Sequence, residues 1–229
     1  MEYEKALSSP TEENAGAPAK ARRRFFTAKN IAYFGILAAL EVVLLLWGSA
    51  VPTGIGGATL NFSLVPIVLG AILMGPLAGA FLGLIAGAAI LIMVVLGAQG
   101  PVFLFLFNEQ PVVIALVCLL KTAGAGLVSG LLYRALAGHR KAAVFAASAA
   151  APVVNTGLFI LGLLCMSGAV REASVQYGLG YDSAIAVIIL VFVTYNFFIE
   201  FAINLVLAPA LNAVIRIAEK QFVGKKRKV

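Results

Sequence analysis

Between Asn61 and Ala89 the chain reads NFSLVPIVLGAILMGPLAGAFLGLIAGAA, two apolar segments joined by Gly75-Pro76. The second segment carries glycine at every fourth position: Gly75, Gly79, Gly83 and Gly87. On a helix that spacing puts all four on nearly one face, a smooth strip that another helix backbone can approach closely. In water each such glycine weakens a helix by about 1 kcal/mol relative to alanine. In a bilayer the helix must close its own hydrogen bonds regardless, so glycine is tolerated and close packing gains. The segment therefore predicts a polytopic membrane protein with one face built for tight contact.

Composition agrees. The 229 residues are 62% hydrophobic and 12% charged, with a mean hydropathy of +1.01, more apolar side chain than a soluble domain of this length can cover. About 20 apolar residues suffice to cross a bilayer. Six spans are predicted, at 31–50, 62–75, 77–98, 111–137, 142–167 and 183–217. The expected fold is an all-α integral membrane protein, a bundle of six transmembrane helices. The second span is short and needs help from residues 59–61 or from local bilayer thinning. The transmembrane domain, 30–217, follows a polar segment at 1–29 that lacks periodicity and is expected to be disordered. It precedes a basic tail at 218–229. The polar start ends in a basic cluster, so the first apolar helix is expected to direct insertion.

Charge sets the expected orientation. With both termini cytoplasmic, fifteen of the 17 basic residues lie inside; Lys121 falls within a span and only Arg171 lies outside. That is the positive-inside pattern of a multi-pass membrane protein. The net charge of +7 then reflects topology and contact with anionic lipid, not nucleic-acid binding. The terminal KKRKV is read as a solvated juxtamembrane cluster. Three outer loops are expected. Residues 51–60, VPTGIGGATL, are either a mobile flap over a ligand or an ordinary connection, and 97–110 form the second loop. The third, 168–182, carries Tyr177, Tyr181 and Asp182 for part of a lid.

Several chemistries have no residues to carry them. There is no phosphate-binding G-x-x-x-x-G-K-[ST] loop, so ATP cannot be used by this chain itself. The single histidine, His139, lies in a basic loop, which leaves no Ser-His dyad and no multi-histidine metal site. Cys118 and Cys165 sit in apolar segments without metal-like spacing and are expected to be buried structural thiols. No enzyme, cofactor or metal site is expected; a binding or translocating protein is.

Ionisable residues within the hydrocarbon region cost about 2.5–3.5 kcal/mol each on insertion scales and face a cavity or a partner. Glu41, Lys121 and Glu200 are of this kind. At 1.5 Å per residue, Glu41 lies roughly 14 Å below the outer end of its span and Lys121 roughly 15 Å below that of its own. Asn196, Glu200 and Asn204 form an i, i+4, i+8 stripe, and Asn155 and Thr156 occupy the middle of the fifth span. These groups are expected to line one pocket opening outward. The alternative is structural: Lys121 pairs with Glu200 or Glu41, and the asparagines join helices at about 0.6 kcal/mol each. Trp47 is either an interfacial anchor or part of the pocket wall.

Three passages resemble the substrate-binding S components of energy-coupling factor vitamin transporters. They are NIAYFGILAALEVVL at 30–44, LVPIVLGAILMGPLAGAFLGLIAG at 64–87, and the pair APVVNTGLFILGLL (151–164) and YNFFIEFAINLVLAPAL (195–211). Asn-Thr in the fifth helix and Asn-x-x-x-Glu in the sixth look most like the group with pantothenate-specific members. The resemblance implies six helices that bind a vitamin from outside beneath the first loop. It also implies a membrane coupling protein and two ABC-type ATPases as partners, and toppling to release the vitamin inward. Family docking uses an A-x-x-x-A pattern on the first helix; the matching positions are Gly35 and Ala39. Where related sequences have Asp-Pro before the fourth helix and an arginine near its start, this chain has NEQP at 108–111 and Lys121.

On this reading Lys121 receives a carboxylate, as pantothenate carries, while Asn155, Asn196 and Glu200 bond amide and hydroxyl groups, with Glu41 and Trp47 also at the site. Glu41 and Glu200 equally suit a cationic, thiamine-like ligand if Lys121 neutralises one of them; riboflavin and folate are further candidates. A stand-alone secondary transporter with a proton-linked Glu200, and a purely structural membrane protein, are the rival classes.

Overall fold

The computed structural model describes residues 28–49 and 62–223; the flap expected at 51–60, residues 1–27 and the chain end at 224–229 lie outside that range. The described residues form helices and no strands. In chain order they are α1 (Ala28–Ser49), α2 (Leu64–Met74), α3 (Pro76–Val95), α4 (Pro101–Glu109), α5 (Pro111–Ala135), α6 (Arg140–Cys165) and α7 (Ser167–Gln176). The last, α8, opens as Ala184–Ala186, passes through a π-helical stretch at Val187–Val193 and continues as Thr194–Val223. Five of these helices are long and apolar enough to cross a membrane. Leu64–Met74 is the shorter sixth. Its 11 residues span roughly 16 Å, about half of a bilayer's hydrocarbon core.

Turn chemistry explains the breaks. Gly75 adopts φ +109°, a conformation that side-chain-bearing residues rarely take, and Pro76 then starts α3 with its fixed φ and missing N–H. Gly100, at φ +92°, and Pro101 repeat the device at the start of α4. Two of the connections read as loops therefore contain helices, α4 within 97–110 and all but the first residue of α7 within 168–182. Gly-Pro and small-residue punctuation marked the ends of these segments but hid nine and ten helical residues between them. Hydropathy screens pass over helices this short.

The glycine strip faces α5. A Cβ placed on Gly79 would lie 2.7 Å from the Gly126 carbonyl oxygen, and one on Gly87 would lie 2.5 Å from that of Cys118. Gly83 meets the Thr122 carbonyl even more closely. On the other side, Gly130 abuts Pro76, where a Cβ would come 2.6 Å from its Cα. The Thr122 hydroxyl donates to the Gly83 carbonyl across the seam at 2.6 Å. Gly75 itself belongs to the turn rather than to the seam, beside the Arg134 guanidinium.

Packing continues on both sides of this pair: α6 lies along α5, α8 along α6, and α1 against α2 and α3. Buried apolar residues form two clusters. One, with Ile90, Leu106 and Phe192, lies at the end of the bundle that holds α4 and α7. The other, with Leu37, Ile67, Val144 and Leu211, lies toward the opposite end. Large apolar side chains such as Ile36, Phe81, Leu116, Leu161 and Val206 are exposed on the outer faces. Helices apolar on every side are those of a membrane bundle, whose outer surface meets lipid. Cys165 corrects an expectation: Cys118 is buried, but Cys165 is exposed, because an apolar segment in a bilayer is served as well by lipid as by protein.

The seam leaves no room for a methyl group at Gly83, where the obstructing atoms belong to backbone. Gly83→Ala is expected to destabilise the bundle by about 1–3 kcal/mol, the usual range for overpacking. Gly35→Ala is the control, since a Cβ there meets nothing within 4 Å. Thermal unfolding in detergent compares them; equal melting temperatures would refute the backbone contact.

Candidate functional site

A cavity opens among α3, α4, α5, α6 and α8, with Leu45 of α1 at its side. It contains roughly 770 Å³ of atom-free space, counting its open mouth. Its walls are apolar apart from a few polar side chains, the usual construction of a small-molecule site. The first half of α5 contributes Val117, Cys118 and Lys121; α6 contributes Asn155, Thr156 and Phe159. From α8 come Phe192, Val193, Asn196 and Glu200, and from the α3–α4 region Val94, Gln99 and Phe103. Helix periodicity accounts for these groupings: Asn155 and Phe159, and Phe192, Asn196 and Glu200, recur at four-residue steps.

The polar groups occupy two sides. On α5, the Lys121 ammonium lies 4.9 Å from the centroid of the Phe159 ring, within cation–π range. On α6 and α8, the Asn155 amide donates to a Glu200 carboxylate oxygen at 3.4 Å. Asn155 is 5% and Glu200 6% exposed. The Asn196 amide donates back to the Phe192 carbonyl at 3.4 Å. With those donors engaged, the Asn155 and Asn196 side-chain oxygens are buried and accept no hydrogen bond. Buried acceptors in a cavity wall are places where a ligand's N–H or O–H gains the most.

The π-helical stretch sits directly above these residues. The Thr194 hydroxyl donates to the carbonyl of Ile189, five residues back, at 2.6 Å and so ties the wide turn. Segments of this kind interrupt α-helices frequently at functional sites. Here it brings Phe192 and Val193 into the cavity lining just before the Asn196–Glu200 turn. Phe103 of α4 packs against Phe192 and Phe159, with centroids 5.2 and 6.2 Å apart, and the three rings line the cavity together.

The cavity thus unites five of the residues expected from the sequence: Lys121, Asn155, Thr156, Asn196 and Glu200. Three others lie elsewhere. Glu41 is 0% exposed, one turn along α1 from Leu45, and does not line the cavity. Neither of its carboxylate oxygens has a hydrogen-bond partner, so the Glu41–Lys121 pairing left open by the sequence is not formed. The elements α1 packs against, α2 and α3, carry no titratable side chain. Trp47 is 61% exposed and packs on Phe62 at 5.2 Å between centroids, away from the cavity wall. Its large ring sits on the outer surface, as an interfacial anchor would. Asn204, the third member of the α8 stripe, is buried beyond the cavity and donates to the Glu200 backbone carbonyl at 2.9 Å.

Sequence reading missed the aromatic side of the site. A signal existed for Phe159 and Phe192, each four residues from a polar residue already singled out. None existed for Phe103, which lay in a segment read as a loop.

The cavity end of the bundle carries α4 and α7, whereas Arg134, Arg140 and Lys141 cluster at the opposite end, where α5 passes to α6. A multi-pass membrane bundle with a mostly apolar cavity displaced toward one end has the construction of a substrate-binding membrane protein. Comparison with protein families matches residues 29–212 to the family described as ECF transporter, substrate-specific component. That match covers most of the chain, and the chain belongs to this family of substrate-binding subunits, which bind small molecules and work within a membrane-embedded transporter complex. No curated protein matches the chain.

Proposed function

We propose that this chain is the specificity subunit that captures a water-soluble vitamin, pantothenate fitting best, at the outer face of a prokaryotic cell membrane. It then delivers the vitamin inward together with a coupling protein and two ATPases. One observation supports the ligand reading: among the described residues the cavity lining combines one ammonium, Lys121, with unpartnered amide oxygens, Asn155 and Asn196. A short molecule with a carboxylate at one end and hydroxyl or amide donors at the other satisfies both. Pantothenate has that arrangement. The outward orientation is supported by the basic residues at the end of the bundle away from the cavity.

Docking to the coupling protein is assigned to α1. Gly35 and Ala39 are exposed on the face opposite Leu37, and the space over Gly35 is open. A partner helix can approach its backbone there.

The first test is mass spectrometry of small molecules that co-purify with the protein; recovery of a cationic vitamin instead of pantothenate would reverse the ligand reading. The second is a mutant cycle at Lys121. As a ligand contact, Lys121→Met weakens vitamin binding by about 1.5–3 kcal/mol, the range for a hydrogen bond to a charged group. Stability changes little, because a buried charge has also been removed. As an internal counter-ion, Lys121→Met instead lowers the melting temperature, and adding Glu200→Gln restores stability and affinity together. Full affinity in the double mutant would remove Lys121 from the site. For docking, Gly35→Leu or Ala39→Leu is expected to abolish ATP-dependent uptake and leave vitamin binding by the isolated subunit intact. Normal assembly of both variants with the coupling protein would refute that assignment.

A further inference from the structure

Of the described residues that line the cavity, only Lys121 and Glu200 are charged. They contribute one positive and one negative charge, from α5 and α8. Glu200 shares its wall with Asn155 and Asn196, whose amide N–H groups are engaged by Glu200 and by the Phe192 carbonyl. That wall therefore offers oxygens: a carboxylate and two unpartnered amide oxygens. Thr156 of α6 also lines the cavity with a hydroxyl able to donate; Gln99, toward α4, directs its amide to the Met93 sulfur at 3.8 Å.

A hydroxyl group suits such a wall because it donates. The corresponding phosphate ester does not. It has lost the donor, and it brings about −1.5 to −2 of charge at neutral pH with acceptor oxygens only. In a water-poor cavity it would meet the Glu200 carboxylate and two amide-oxygen lone-pair faces, against one ammonium, Lys121, among the described lining residues. Like charges brought together at a binding surface are strongly disfavoured, and selectivity arises as much from such clashes as from attraction.

We propose that the cavity accepts the unphosphorylated form of its ligand and rejects the phosphate ester, with Glu200 as the discriminating residue. This rests on the vitamin reading above but not on which vitamin is bound.

The test is competition binding to the purified full-length protein, using three matched pairs. These are pantothenate and 4′-phosphopantothenate, thiamine and thiamine monophosphate, and riboflavin and its 5′-phosphate. Whichever free vitamin binds, its ester is expected to bind roughly 100-fold more weakly. Glu200→Gln, which keeps an acceptor for Asn155 and removes the charge, is expected to narrow that gap about tenfold. Asn196→Asp, which adds charge to the same wall, is expected to widen it. The unmodified protein alone decides the main point: an ester that binds as tightly as its free vitamin overturns the selectivity while leaving vitamin binding standing. A gap that neither variant moves overturns the role of Glu200. If thiamine or riboflavin binds and pantothenate does not, with the ester still excluded, the pantothenate reading fails and the selectivity stands. Binding of no member of any pair sinks both.

Discussion

The bundle depends on the contact between the backbones of α3 and α5. Lipid chains are as apolar as leucine, so helices in a bilayer gain nothing from burying oily side chains against each other. They gain from close approach. Gly79, Gly83 and Gly87 on α3 meet the carbonyls of Gly126, Thr122 and Cys118 on α5, and Thr122 adds a hydrogen bond across the seam. Lys121 lies between two of those contact points, Cys118 and Thr122. The seam therefore fixes the rotation and height of the helix that presents the one ammonium of the cavity.

From α5 outward the rest of the site follows. Because α6 packs along α5, Phe159 comes beneath the Lys121 ammonium, and because α8 packs along α6, Glu200 reaches Asn155. Polar groups that would be costly alone in hydrocarbon are gathered here, where they bond one another or face the opening. The two carboxylates show the contrast. Glu200 has a donor and a place on the cavity wall; Glu41 is buried against α2 and α3, with both oxygens unpartnered.

The α8 stripe shows how far periodicity carries a reading. Asn196, Glu200 and Asn204 share a face, as their spacing requires, yet Asn204 turns to the backbone beyond the cavity floor while the other two line the cavity. Periodicity specifies a direction around the helix axis, not what is met in that direction. The same limit applies to Trp47, whose position near a helix end is equally compatible with a pocket wall and with the outer surface. Short helices are legible only where a tertiary role reveals them: α4 carries Phe103 into the cavity lining from a stretch whose Gly and Pro residues read as loop.

Hydrophobic content, the four-residue glycine repeat and the distribution of basic residues were enough to determine an all-α bundle in a bilayer with a tight helix–helix seam. They sufficed because a spanning chain must close its own backbone hydrogen bonds, and few architectures do so. They also singled out Lys121, Asn155, Asn196 and Glu200, since ionisable and amide groups are rare in such segments. Only the tertiary structure decided that these four meet in one cavity, that aromatic rings from α4, α6 and α8 enclose them, and that Glu41 and Trp47 lie outside. Those outcomes depend on which helices pack together and at what rotation. In a bundle whose helices are apolar on every side, no single helix carries that information.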